Sequence, residues 1–162
     1  MNLVKILPAL FLFYAIPSMA ESNVTNATPI NKSNLYGSWF CQHKIEEPNS
    51  KMVIDVNYRI KYNQDNTSQG YGILLFALSG MPKLKYSITD SSTWQLKEDM
   101  LSMSSQNIEF KNVSHPELES ILNLKKILPA TVNESGKVVN LSKNELTVKS
   151  EAYSDLIQCV RA

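Results

Sequence analysis

The stretch SKMVIDVNYRIKY, residues 50–62, decides the fold class. Met52, Ile54, Val56, Tyr58, Ile60 and Tyr62 alternate with Val53, Asp55, Asn57, Arg59 and Lys61. Successive side chains of a strand point to opposite faces, so one face here is apolar and the other mostly polar. That is the pattern of a half-buried antiparallel strand. The polar turn Asn63-Gln64-Asp65-Asn66 follows, and residues 71–78 supply the return strand of a hairpin. Gly70 and Gly72 near its start predict a bulge or a bend.

The same rhythm runs down the chain. Leu84, Tyr86 and Ile88 alternate with Lys83, Lys85 and Ser87. Residues 93–96 and 101–104 flank the charged turn Lys97-Glu98-Asp99 as a second hairpin, and Ile108 and Phe110 belong to a further short strand or its continuation. Residues 137–141, 145–149 and 156–161 are three more strands, the first two joined by Ser142-Lys143-Asn144. Short strands at regular spacing with polar turns indicate an all-β sandwich or barrel. One segment breaks the rhythm: SHPELESILNLKKILP, residues 114–129. Ser114 with Glu117 reads as a capping box, Pro116 suits a first helical turn, and Pro129 stops the run. Leu118, Ile121, Leu122 and Leu128 share a face that Lys125 interrupts, which predicts a short helix lying over a barrel end.

The start of the chain predicts export. Lys5 precedes an apolar run from Ile6 to Ile16, and Ser18-Met19-Ala20 offers small residues for cleavage after Ala20. The run is shorter than the ~20 residues a bilayer span needs. Residues 1–20 therefore read as a signal peptide, 21–34 (polar and Asn-rich) as a disordered leader, and 35–162 as one barrel domain, periplasmic or secreted. Cys41 is too far downstream for a lipid anchor. The net charge of +1 comes from scattered cations, which argues against nucleic-acid binding or membrane insertion after the signal is removed. Asn-x-Ser/Thr triplets at Asn23, Asn26, Asn31, Asn66, Asn112, Asn133 and Asn140 would accept glycans only in a eukaryotic secretory chain.

Two cysteines in an exported chain are expected to be joined. Cys41 lies in the first strand and Cys159 in the last. If those strands pair antiparallel with the cysteines opposite, facing residue numbers sum to 200, and Trp39 faces Arg161 on the same side of the sheet. A guanidinium over an indole gains about 0.5–2 kcal/mol. A disulfide closing so long a loop contributes up to ~4–5 kcal/mol by the chain-entropy model. Joining first strand to last is what closes a sheet into a barrel and removes its edges.

Gly37-Ser38-Trp39-Phe40-Cys41 at one end and Cys159-Val160-Arg161 at the other resemble the signature of the lipocalins and the wider calycin superfamily, and of small exported lipocalin-like proteins with a Gly-x-Trp-x-Cys start and a Cys-x-Arg end. The resemblance implies a lipocalin-like antiparallel up-and-down β-barrel in which the Trp closes one end and the Arg packs across it. Cys41, Cys159, Gly37, Trp39 and Arg161 would then form a structural clasp. Thr89-Asp90 is followed by Ser91, where lipocalins proper often carry Thr-Asp-Tyr.

The sequence holds no catalytic constellation. His43 and His115 have no neighbours at zinc-ligand spacing and read as solvated or capping residues. There is no Gly-x-Ser-x-Gly elbow and no Gly-rich phosphate loop, and a disulfide would leave no thiol nucleophile. Glu46-Glu47 and Glu98-Asp99 are paired carboxylates expected in solvated turns, where pKa values stay ordinary. The expectation is a non-enzyme without metal or cofactor. It would hold a small apolar ligand against Trp39, Met52, Ile54, Val56, Tyr58 and Ile60. The alternative is a protein-binding inhibitor or accessory factor acting through a rim loop. Residues 79–86, Ser-Gly-Met-Pro-Lys-Leu-Lys-Tyr, resemble at longer spacing the Ser-Gly…Lys-Tyr loop of bacterial inhibitors of c-type lysozyme.

Overall fold

The computed structural model describes residues 30–47, 52–77, 79–119 and 131–162, with the side chain of residue 47 left aside. The expected signal peptide, residues 1–20, and residues 21–29 of the expected leader lie outside that set. Eight antiparallel strands close into a barrel in chain order: β1 (Gly37–Glu47), β2 (Met52–Tyr62), β3 (Thr67–Ala77), β4 (Leu84–Lys97), β5 (Met100–Asn112), β6 (Val132–Leu141), β7 (Glu145–Ser150) and β8 (Leu156–Arg161). The all-β up-and-down barrel is as the alternation implies. β2 and β8 take the residues expected of them.

Several elements differ from the sequence reading. β4 runs unbroken from Leu84 to Lys97, so the two segments expected around residue 90 are one strand. β5 likewise carries Ile108 and Phe110 as its continuation. β3 begins at Thr67, and β6 at Val132. β3 keeps register with both neighbours through Gly70 and Gly72, so no bulge forms there. The register shifts fall instead at Thr89/Ser91 between β4 and β5, and at Val138/Asn140 between β6 and β7. Glu46 and Glu47 are in β1 rather than in a turn.

The end of the supposed leader is structured as well. Lys32–Asn34 form a 3-10 turn whose first N–H groups are met by the Asn31 side chain, which accepts from Ser33 N at 3.0 Å. It delivers Leu35 into the core at 0% exposure. The helix expected over residues 114–129 is described only at its start, a 3-10 turn Pro116–Leu118. Ser114 does not cap it. Its hydroxyl accepts from Lys85 N at 2.9 Å, while Asn112 Oδ1 accepts from Ser114 N at 3.2 Å and His115 N at 2.9 Å. Asn112 is buried and also donates to the Tyr86 hydroxyl at 3.1 Å, so its triplet has no room for a glycan.

Tight turns carry the register. Between β2 and β3, Asp65 Oδ1 accepts from the backbone and hydroxyl of Thr67 at 3.0 and 2.6 Å, and Asn66 takes the left-handed conformation its short side chain tolerates. Inside the barrel the side chains form two packed clusters. One gathers Leu35, Trp39, Ile60, Tyr62, Trp94, Leu101 and Leu146 near the disulfide, and the other gathers Phe76, Leu84 and Tyr86. Among the described residues no helix is long and apolar enough to cross a membrane.

Candidate functional site

The clasp has the geometry that the sum of 200 requires. Trp39 faces Arg161 and Cys41 faces Cys159, and the two cysteines are disulfide-bonded. The Arg161 guanidinium lies 3.8 Å from the Trp39 ring centroid. It donates to Asn34 O at 2.7 Å, Tyr36 O at 2.8 Å and Lys143 O at 2.9 Å. Trp39 Nε1 in turn donates to Leu35 O at 2.8 Å. Gly37 is needed here twice over: its φ is +108°, and a Cβ would sit 3.0 Å from the Arg161 guanidinium. One cation thus ties the chain before β1 and the β6–β7 turn onto the end of the barrel. Every polar group of the clasp is spent on structure.

The expected ligand-lining residues divide. Trp39 and Ile60 are buried in the cluster at the clasp end and have no surface to offer. Met52 and Ile54 pack against the far cluster. Val56 and Ile88 are half-buried and belong to neither cluster, whereas the half-buried Tyr58 and Ile157 pack against the clasp cluster and Leu74 and Phe110 against the far one. Register places all of these on the same inward face as Ile60 and Trp94.

The middle of the barrel is also where polar groups gather. Tyr58 donates to Asp90 Oδ1, and Ser92 Oγ donates to Asp90 Oδ2 at 2.6 Å. Ser92 Oγ also lies 3.0 Å from Ser105 Oγ. Gly70 and Gly72 make the first contact possible. A Cβ on Gly70 would fall on the Tyr58 hydroxyl and 2.6 Å from Asp90 Oδ1, and one on Gly72 would lie 2.8 Å from Tyr58 Cδ2. The glycines are a bed for the tyrosine ring rather than a bend. Opposite Asp90 the β4–β5 register slips by one residue, with Asn107 in the left-handed region, so that Ile108, Phe110 and Asn112 face inward above it as Leu101, Met103 and Ser105 do below.

Glu134 completes the group. It pairs with Met103, one inward position from Ser105↔Val132, where the β5–β6 pairing stops. Its carboxyl is pushed above the ordinary range, chiefly by desolvation and then by the charge of Asp90. Yet Glu134 is solvent-accessible. It lies close to the point where the β5–β6 pairing ends, and water reaches it there. Burial likewise raises the Tyr58 and Tyr62 phenols, with Asp90 and Glu134 adding to both. Ser68 is 1% exposed, lies inward between Tyr62 and Ser92, and its hydroxyl has no partner. Farther along, Tyr86 donates to Glu119 Oε2 at 2.8 Å, and desolvation with that bond pushes its phenol up to about 12.

The remaining candidates lie elsewhere. His43 faces Val56 on the inward side and is half-buried rather than solvated; desolvation lowers its pKa, and Asp155 partly offsets this. His115 Nδ1 pairs with Glu117 Oε1 at 3.1 Å. Glu46 pairs with Lys44 at 2.7 Å and Asp99 with Lys137 at 3.0 Å, both in solvent. Tyr86, which ends the loop resembling that of lysozyme inhibitors, is fully buried, as is Leu84; residues 79–83 and Lys85 are exposed at the surface. Two concavities of about 560 and 660 Å³ open on the barrel wall, one beside Arg59, Lys61, Gln69, Tyr71 and Asp90, the other beside Lys32, Trp94, Gln95, Ser102 and Glu134. Among the described residues no group of His, Cys, Asp and Glu could hold a metal ion.

Asp90, Ser92, Ser105, Ser68 and Glu134 did not stand out in the sequence. The signal was there for two of them: continuing the period of Leu84, Tyr86 and Ile88 puts Asp90 and Ser92 on the apolar face that ends with Trp94 and Leu96. Comparison with known proteins finds no family model and no curated protein that matches the chain.

Proposed function

We propose that this is an exported, non-catalytic, lipocalin-like protein that carries a small, largely apolar ligand inside the barrel. The observation that carries the reading is the uneven filling of the interior. Each end has a buried centre, whereas Val56 and Ile88 belong to neither cluster and keep accessible surface, as do Leu74, Phe110 and Ile157 at the cluster margins. Interiors without a ligand to hold are filled to the density of organic crystals. An eight-stranded barrel is of the size that holds one small ligand. The outward positions Asp55, Arg59, Lys61, Lys85, Lys137 and Lys149 are exposed and charged, which favours a barrel in water over one in lipid. A long-range disulfide suits an oxidising compartment outside the cytosol.

Titration with a neutral apolar fluorescent dye tests the reading. The parent protein should give saturable one-to-one binding at micromolar concentration, and Ile88→Trp, which fills the middle of the lumen, should abolish it. A parent protein that fails to bind, or an Ile88→Trp variant that binds as well as the parent, would overturn the reading. Native mass spectrometry of protein taken from its own compartment would then identify the cargo by mass that leaves on denaturation.

A further inference from the structure

Resting on that reading, we propose that the lumen selects a cationic amphiphile, an amine or ammonium head on an apolar body, with the head seated between Asp90 and Glu134. Both carboxylates take inward register, Asp90 in the row of Gly70 and Ile60, two residues from the half-buried Ile88, and Glu134 in the row of Met103 and Trp94. Neither has a cationic partner among the described residues. Asp90 takes one donor on each oxygen, from Tyr58 and Ser92, both neutral hydroxyls. A carboxylate has about four acceptor positions, so half of its capacity faces the lumen.

The cation that shares a concavity with Glu134, Lys32, donates to Asn66 Oδ1 at 2.9 Å and lies over the Trp94 ring. The described lysines of the strands all take outward register, and the one inward guanidinium, Arg161, is committed to the clasp. His43, also inward, is held toward its neutral form by burial. Desolvation chiefly raises the Glu134 pKa and repulsion from Asp90 adds to it, and a cation between the two carboxylates reverses the sign of that second interaction.

A second, independent observation points to the same place. The Ser68 hydroxyl, 1% exposed and unpartnered, is on the inward face beside Ser92. A buried hydroxyl without a partner is costly unless something bound supplies one. An ammonium head has three donors and no acceptor. It fits a site made of two carboxylates and hydroxyl oxygens, whereas a carboxylate or phosphate head would meet like charge. The apolar body would run along Val56, Leu74, Ile88, Phe110 and Ile157 toward the end away from the clasp.

The test uses the mature, oxidised chain and three eight-carbon probes that differ only in the head: octylamine, octanol and octanoate, each displacing the neutral dye at neutral pH. Octylamine should compete at least tenfold more strongly than octanol, with octanoate weakest. Glu134→Gln should weaken octylamine at least fivefold and leave octanol unchanged. Because Glu134 is solvent-accessible, this variant should keep the parent's fold, which a melting curve checks; Asp90→Asn should act in the same direction. Dye displaced equally well by octanol and octylamine, or an octylamine affinity unmoved by Glu134→Gln, would overturn the selectivity while leaving an apolar binder. A protein that binds no dye would overturn both.

Discussion

Replacing Arg161 probes the closure of the barrel at one atom group. Its guanidinium holds three backbone carbonyls and covers Trp39. A hydrogen bond to a charged donor contributes ~1.5–3 kcal/mol. The Lys143 carbonyl is at an exposed position and can return to water, so it counts for little. The Asn34 and Tyr36 carbonyls are part-buried, and at the low end of that range they give about 3 kcal/mol together. The cation–π contact adds about 1 kcal/mol. Arg161→Ala should therefore cost about 4 kcal/mol, a large share of the ~5–15 kcal/mol that holds an ordinary domain together. Arg161→Lys keeps the charge but loses the fork, and should cost about 2 kcal/mol.

Urea unfolding of the oxidised protein measures both, with Trp94→Phe as background so that Trp39 is the sole indole reporter. The slope of free energy on urea concentration should stay unchanged, which identifies a loss in the native state rather than a different unfolded ensemble. An Arg161→Ala loss below about 1 kcal/mol, or an Arg161→Lys variant as stable as the parent, would refute the claim that the guanidinium closes the barrel.

Two further outcomes test the middle of the barrel. Gly70→Ala should displace the Tyr58 ring from Asp90 and cost at least ~1–3 kcal/mol by overpacking, read from thermal unfolding, and a variant of parental stability would mean Tyr58 does not rest on β3. Glu134→Gln should raise the melting temperature at pH 7. The sign follows from the raised folded-state pKa: ionising Glu134 destabilises the folded state, so the cost appears as pH rises above the ordinary value of 4.5 and is absent below it. The melting temperatures of parent and variant should converge on acidification below about pH 4, and a difference independent of pH would contradict the placement of Glu134 in the lumen.

The clasp and the strand alternation were legible because each depends on spacing within a strand. Once β1 and β8 pair at Cys41 and Cys159, Trp39 must face Arg161, and period two then puts Ile54, Val56, Tyr58 and Ile60 on one face whatever surrounds them. Strand lengths were less legible. Asp90 and Ser92 interrupt the apolar face of β4, so a reading based on apolar residues breaks the strand where the structure continues it. The same polarity that hid the strand is the chemistry of the candidate site.

The sequence by itself determined an all-β chain of alternating strands and, given a Cys41–Cys159 pairing, which residues lock its two ends, because both follow from spacing along a strand. Only the tertiary structure decided what lies inside. Which inward residues pack tightly and which border free space depends on eight strands meeting across the barrel. Gly70 and Gly72 acquire their role only when Tyr58 of the neighbouring strand lies over them. Asp90 and Glu134, 44 residues apart in the numbering, become one electrostatic site only when β4, β5 and β6 curve around a common centre.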